Sequence, residues 1–126
     1  MENSGEDTFT LQDDILICRI ESTSNITLEK AKQLVAARKE LINGKAYKTM
    51  IVFPKLSNMD KSARDYLASD EAKEGILAGA IVTKSTLGRV IINFFIFISN
   101  QKKRSFPEKV FNHEEDAIEW LSSIDV

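Results

Sequence analysis

Short β-rich runs alternate with longer segments of helical spacing along this chain, and that alternation constrains its fold more than any other feature. The predicted order is β-β-α-β-α-β-α-β-α over 126 residues. Two parallel strands need a crossover connection, so strands separated by helices indicate a largely parallel sheet with helices packed against it. The sequence therefore predicts an α/β fold, with a mixed, mostly parallel sheet of about five strands and four helices.

The first two strands are predicted to form an N-terminal β-hairpin. Thr8 to Gln12 alternates between apolar and polar residues, Asp13-Asp14 interrupts the pattern, and Ile15 to Ile20 is an apolar run. Two such runs around a short polar turn are typical of an antiparallel pair. Residues 1–7 contain three acidic residues and one apolar residue. We therefore expect residues 1–7 to be disordered and residues 8–126 to form a single domain of βα units after the hairpin.

The remaining elements follow from capping residues and apolar runs. Ile76 to Thr83 consists mainly of small and β-branched residues, almost all of them apolar, as expected for a strand that is buried on both faces near the middle of a sheet. The second helix is predicted to break near Ser69, which offers a fresh cap. Asn112 and Glu115 have the spacing of a capping box for the last helix. The predicted helices start near Thr27, Met59, Ser85 and Asn112.

Composition excludes several classes of function. Seventeen Lys and Arg against nineteen Asp and Glu give a net charge of -2, which argues against a nucleic-acid-binding protein. One Cys and one His are too few for a disulfide framework or the usual zinc site. No familiar catalytic or phosphate-binding motif is present. We therefore predict a protein without catalytic residues, metal or cofactor. The acidic N-terminus is unlike a signal peptide and predicts a cytoplasmic protein.

The start of the second helix resembles a known family. The strand that ends in Ile51-Val52-Phe53, a loop, and then Met59-Asp60-Lys61-Ser62-Ala63 are similar to STAS and SpoIIAA-like domains of anti-sigma factor antagonists. Those domains carry an Asp-Ser-Ser-Gly-like turn, in which one Ser is phosphorylated by a partner kinase. Asp60 matches the Asp and Ser62 the second Ser, whereas Lys61 and Ala63 depart from the pattern.

The C-terminal part resembles the SpoIIAA-like branch found in small uncharacterised bacterial proteins, through its segments AGAIVTKS, GRVIINFF and DAIEWL. The resemblance implies a STAS/SpoIIAA-like fold and a non-catalytic regulatory module. Such a module docks its second helix and the preceding loop on a partner protein. Ser62 is then the candidate switch, and Asp60 and Arg64 are candidate partner contacts.

The helix after Ser85 is unusually apolar. Eight of nine residues from Val90 to Ile98 are apolar, yet the run is too short to span a membrane, which takes about 20 residues. Helical spacing predicts that Leu87, Ile91, Phe94, Phe95 and Ile98 face inward. Ile92, Ile96 or Phe97 then turn toward neighbouring helices or solvent, with Arg89 and Asn93 as polar groups beside them.

This excess of apolar residues must be covered. The candidates are the last helix with Trp120, a second copy of the chain in a homodimer, a partner protein, or a ligand. The ligand case gives the alternative function, a carrier or sensor of an apolar small molecule or lipid. The loop Lys102-Lys103-Arg104 is either solvated or binds an anionic group.

Overall fold

The computed structural model describes residues 6–100 and 106–126. The seven strands are β1 (Thr8–Gln12), β2 (Ile15–Arg19), β3 (Asn25–Ile26), β4 (Tyr47–Val52), β5 (Asn58–Met59), β6 (Ile76–Val82) and β7 (Glu108–Phe111). The five helices are α1 (Leu28–Ile42), α2 (Lys61–Leu67), α3 (Asp70–Lys73), α4 (Thr86–Ser99) and α5 (Glu114–Ser123). The basic loop Lys102-Lys103-Arg104 lies outside the described residues.

The main sheet has the order β1-β2-β4-β6-β7. β1 and β2 are antiparallel, and every other neighbouring pair is parallel. The predicted α/β fold with an N-terminal hairpin and a five-stranded, mostly parallel sheet is thus confirmed. β6 lies in the sheet interior between β4 and β7. The described chain has one more helix than predicted, because the second helical segment breaks at Ser69, whose side chain caps α3.

The hairpin turn explains why two aspartates interrupt the N-terminal pattern. Asp13 and Asp14 have φ angles of 53° and 67°, in the left-handed region. Consecutive residues of this kind form the tight turns that match the twist of a hairpin, and Asp tolerates the conformation better than most residues.

Before this hairpin, residues 1–5 lie outside the described residues. Asp7 is held by backbone N–H groups of Glu21 and Ser22 at 2.8 and 3.0 Å.

The sheet separates the core into two halves. Alternate residues of β2 point to opposite faces, so Leu16 and Cys18 join the half under α1 to α4, and Ile15 and Ile17 join the half under α5. Successive right-handed crossovers in one direction leave their helices on one face of a sheet. α5 follows the last strand and crosses to the other face. A bidentate ion pair between Arg19 and Glu114, at 2.5 and 2.6 Å, fastens its first turn.

This arrangement corrects one expectation for the last helix. Trp120 packs in the half of the core on the far side of the sheet, where its ring lies 5.6 Å from that of Phe111. It therefore cannot cover the apolar surface of α4.

The inward face of α4 also differs from the prediction. The buried residues are Gly88, Ile92, Phe95 and Ser99, whereas Leu87 and Phe94 are 54% and 48% exposed. The physical reason is the absence of a side chain at Gly88. A Cβ atom at Gly88 would lie 2.6 Å from Thr83 Oγ1 and 3.3 Å from the Leu56 carbonyl oxygen. Only glycine allows this close approach, so the helix turns its Gly88 face toward the sheet.

Two predicted helix starts shift. Met59 belongs to β5, which pairs with β3 in a separate two-stranded sheet, and α2 begins at Lys61. The capping box predicted for Asn112 and Glu115 is absent. His113 occupies the N-cap of α5 without a side-chain hydrogen bond to the helix. The Asn112 side chain instead accepts a hydrogen bond from Arg89 at 2.6 Å.

Candidate functional site

The entry to α2 is fixed by the small sheet of β3 and β5. Asp60 donates its backbone N–H to the Ile26 carbonyl oxygen at 2.9 Å, and its side chain accepts from Asn58 Nδ2 at 3.1 Å. Asp60 is the N-cap by position, but its side chain makes no capping hydrogen bond. The loop that precedes α2 is therefore held by a strand pair rather than by a capping side chain.

Ser62 is exposed in the first turn of α2. The neighbouring cations already have contacts. Lys61 Nζ donates to Asp65 Oδ2 at 2.8 Å, and the Arg64 guanidinium lies 4.9 Å from the centre of the Phe94 ring. The second contact is a cation–π interaction that joins α2 to α4. Sequence analysis singled out Arg64 but not its aromatic partner.

Four large apolar side chains form an exposed row along α4, which we call the outer stripe: Leu87, Val90, Phe94 and Phe97. Their exposed fractions are 54%, 61%, 48% and 61%. The spacing of three, four and three residues places them on one side of a helix, as at the a and d positions of a coiled coil. Sequence analysis placed only Phe97 outside, although this spacing is visible in the sequence.

The other predicted contact residues of α4 lie beside the outer stripe or beneath it. Asn93 is exposed next to Phe94. Arg89 is half-buried and is turned toward Asn112. Ile96, which was predicted to turn toward neighbouring helices or solvent, is half-buried and packs against the core. The same prediction for Ile92 was wrong, because α4 turns its Gly88 face toward the sheet and leaves Ile92 1% exposed in the core.

An apolar cavity of about 90 Å³ lies between the sheet and helices α1 to α4. Apolar side chains from both layers form most of its wall, among them Ile51, Ile81, Ile92 and Phe95. Four polar side chains also line it: Arg38, Thr49, Lys73 and Glu108. Sequence analysis found none of these four, because isolated polar residues in a helix or strand look like solvent-exposed ones.

Arg38, Thr49 and Lys73 donate hydrogen bonds to backbone carbonyl oxygens, whereas Glu108 Oε1 is buried without a hydrogen-bond partner among the described residues. Arg38 is 3% exposed and donates to the carbonyl oxygens of Ala72 and Glu74. Lys73 is 2% exposed and donates to the Ser99 carbonyl oxygen at 3.2 Å. Burial lowers the pKa of the Arg38 guanidinium. Burial raises the pKa of Glu108, and the Lys73 ammonium opposes that shift. The cavity thus has an apolar body with a few charged groups at its wall.

Within residues 6–100 and 106–126, no group of three or more His, Cys, Asp or Glu side chains is placed to hold a metal ion. In the same described part of the chain, no helix has the length and apolar character needed to cross a bilayer.

The sequence matches the family described as "Domain of unknown function (DUF7793)" over residues 9–125. The chain belongs to this family. No curated protein matches it. It is structurally similar to an uncharacterised protein of the DUF3478 family with a SpoIIAA-like fold from Shewanella loihica PV-4. The two share 16% sequence identity and a TM-score of 0.64, with 92% of each chain covered. The SpoIIAA-like fold expected from the resemblance is therefore confirmed.

Proposed function

We propose that this protein is a non-catalytic, cytoplasmic regulatory module that binds a partner protein through one surface of α2 and α4. This surface, the α2–α4 face, consists of Ser62, Arg64 and the outer stripe. The observation that carries the proposal is the exposed stripe itself, with the Arg64 guanidinium over the Phe94 ring at 4.9 Å.

The chemistry of the α2–α4 face supports a protein partner. A continuous row of large apolar side chains is costly to leave in water and commonly marks an interaction site. Aromatic residues and Arg are enriched in protein interfaces, and truncating such residues often gives the largest losses of affinity. The Arg64 guanidinium lies over the Phe94 ring, so the face joins an aromatic residue and an arginine in one contact.

Affinity capture with immobilised protein tests this proposal. We expect Phe97→Lys and Arg64→Ala to lose proteins that the unchanged protein retains from a lysate of the source organism. Leu41→Lys is the matched control, because Leu41 is 39% exposed and lies on α1. Quantitative mass spectrometry compares the retained proteins. Equal retention by all four proteins would contradict the proposal, provided that circular dichroism shows the same fold in each.

We further propose that phosphorylation of Ser62 switches this docking. A phosphate adds about −1.5 to −2 charges at neutral pH, within three residues of the cations Lys61 and Arg64 and of the carboxylates Asp60 and Asp65. It would compete with Asp65 for Lys61 and with Phe94 for Arg64. We expect Ser62→Asp to weaken retention of the partner without changing the melting temperature. Unchanged retention of every captured protein would contradict the switch.

The cavity favours a second candidate function, the binding of a small apolar ligand. An apolar cavity of about 150 Å³ can bind benzene, so a cavity of about 90 Å³ suits a molecule of only a few heavy atoms unless the helices move apart. Native mass spectrometry of the purified protein should then show a retained ligand mass. Ala72→Leu places a larger side chain in the cavity and should remove that mass. An apo mass in both proteins would contradict a carrier.

A further inference from the structure

The outer stripe is symmetric in position about residue 92, and its two halves differ in side-chain size. Its members lie at 87, 90, 94 and 97, so reversing the helix about Ile92 exchanges Leu87 with Phe97 and Val90 with Phe94. Each exchange matches a smaller aliphatic side chain with a phenyl ring. Facing positions that alternate large and small residues pack efficiently. The side chains of the stripe are therefore complementary in size to those of an antiparallel copy of the same helix.

From this complementarity we infer that a second copy of the chain covers the outer stripe in the free protein, with the two α4 helices antiparallel and related by a two-fold axis that crosses the stripe midway between Val90 and Phe94. In this dimer Leu87 packs against the other copy's Phe97, and Val90 against the other copy's Phe94. A two-fold interface uses the same patch on both subunits, which a self-complementary stripe satisfies. This inference does not rest on the proposed function.

The charges around the stripe suit a second copy. From Thr86 to Ser99 the only charged residue is Arg89, and its guanidinium is turned to Asn112. The flanking positions Thr86 and Asn93 are polar and uncharged, so the stripe itself places no like charges in the seam, and the Arg64 guanidinium over the Phe94 ring is a cation at its edge. Amphipathic helices that lie on anionic membranes instead tend to be rich in Lys and Arg on the polar face. The described part of α4 lacks such a row.

The area available sets the expected strength. At the exposed fractions given above, the four side chains offer on the order of 400 Å² per copy, about half of the roughly 800 Å² per partner in a standard interface. Thr86, Asn93 and Arg64 add to it at the edges. We therefore expect a weak dimer, with a dissociation constant in the micromolar range or above. A partner protein that uses the α2–α4 face must then displace the second copy.

A charge-exchange experiment tests both the dimer and its orientation. We expect sedimentation velocity of the pure protein to show a monomer at low concentration and a dimer at high concentration. Leu87→Lys and Phe97→Glu should each give a monomer. The double variant should dimerise again, because each introduced lysine faces the introduced glutamate of the other copy. Within one chain the two positions are about 15 Å apart along the helix, too far to pair. Leu41→Lys should dimerise like the unchanged protein.

Several results would overturn the inference. A monomer at every concentration would do so, as would a double variant that stays monomeric while the unchanged protein dimerises. Binding to vesicles of phosphatidylserine and phosphatidylcholine without self-association would assign the stripe to a lipid surface. If a charged variant fails to fold, a mixture of Leu87→Cys and Phe97→Cys takes its place. The mixture should form a disulfide-linked dimer, and either variant alone should not. Because these measurements need no partner, a failed dimer and a failed docking function are distinguishable.

Discussion

Cys18 shows how one residue's chemistry is set by its surroundings. Its side chain is 3% exposed in the half of the core under the helices. Burial raises the pKa of its thiol to about 12, although the Arg38 guanidinium acts in the opposite direction. Because the thiolate is the reactive form of cysteine, this thiol is almost fully protonated and inert at neutral pH.

We therefore expect Cys18 to resist thiol reagents in the folded protein. At mildly alkaline pH, a chromogenic disulfide reagent should release no colour from the native protein and one equivalent after denaturation in guanidinium. Leu41→Cys provides an exposed thiol on the same scaffold and should react at once. Native labelling at the rate of the exposed thiol would mean that this half of the core opens readily.

Asp7 is a half-buried carboxylate that the fold holds in its charged form. Burial alone would raise its pKa, but hydrogen bonds from Lys30 and Ser22 outweigh burial and lower the pKa below its ordinary value of 3.8. The Lys30 and Asp7 side chains are 19% and 13% exposed, with Nζ 2.5 Å from Oδ2. A carboxylate with a lowered folded-state pKa stabilises the fold above its ordinary pKa, and this contribution is lost as the pH falls through the folded-state value.

The expected result for Asp7→Asn is a loss of about 1–3 kcal/mol of unfolding free energy at neutral pH, from the hydrogen bonds to a charged group. The difference from the unchanged protein should shrink as the pH falls below 3.8. Urea unfolding at a series of pH values measures it. Glu6→Gln, at the preceding exposed position, is the control. A difference that is independent of pH would show that the Asp7 charge does not matter.

At the scale of elements, α4 is oriented by its smallest residue. The absence of a side chain at Gly88 lets the helix approach Thr83 and the Leu56 carbonyl oxygen. Alanine favours helices over glycine by about 1 kcal/mol, so propensity alone predicts that Gly88→Ala stabilises the protein. The clash with the buried Thr83 side chain, together with the tight contact to the Leu56 carbonyl oxygen, predicts the reverse.

We expect Gly88→Ala to lower the unfolding free energy by about 1–3 kcal/mol, the usual cost of overpacking. Chemical denaturation followed by circular dichroism gives the value, and Thr86→Ala at an exposed position of the same turn is the control. A more stable Gly88→Ala protein would show that the close approach does not orient α4.

The same helix shows what could be predicted from the sequence. Its existence and start were predicted because Ser85 caps the first turn, where its side chain accepts from Gly88 N–H at 2.9 Å. The rotation of the helix about its axis was not predicted, because counting apolar residues ignores Gly88 and Ser99, which are buried.

The buried cations Arg38 and Lys73 were also missed. Their partners are mainly backbone carbonyl oxygens far along the chain, and these leave no trace in local spacing.

The whole molecule depends on a sheet that is covered on both faces. Ile81 and Val82 are neighbours in β6, 4% and 2% exposed, and they face opposite halves of the core. This central placement was predictable from the small apolar run of Ile76 to Thr83. The position of α5 on the far face was not, because no later strand fixes the side of a helix that ends the chain.

Ile81→Asp and Val82→Asp should therefore both abolish folding. An unpaired buried charge costs several kcal/mol, against a total stability of about 5–15 kcal/mol for a domain. The measurement is circular dichroism and proton NMR dispersion of the refolded proteins. Leu77→Asp, at an exposed position of the same strand, should fold. A cooperative unfolding transition for Val82→Asp would mean that α5 does not exclude water from its side of the sheet.

The placement of Trp120 across the sheet from α4 has a spectroscopic consequence. It is the only indole in the chain, and its ring packs at a tilt against that of Phe111 in the half of the core under α5. The fluorescence of Trp120 should therefore change when the protein unfolds. A molecule that binds to the outer stripe is separated from Trp120 by the β-sheet. It should therefore leave the fluorescence of Trp120 almost unchanged. An indole signal on titration would therefore mean that contact at α4 is transmitted through the sheet to the far face.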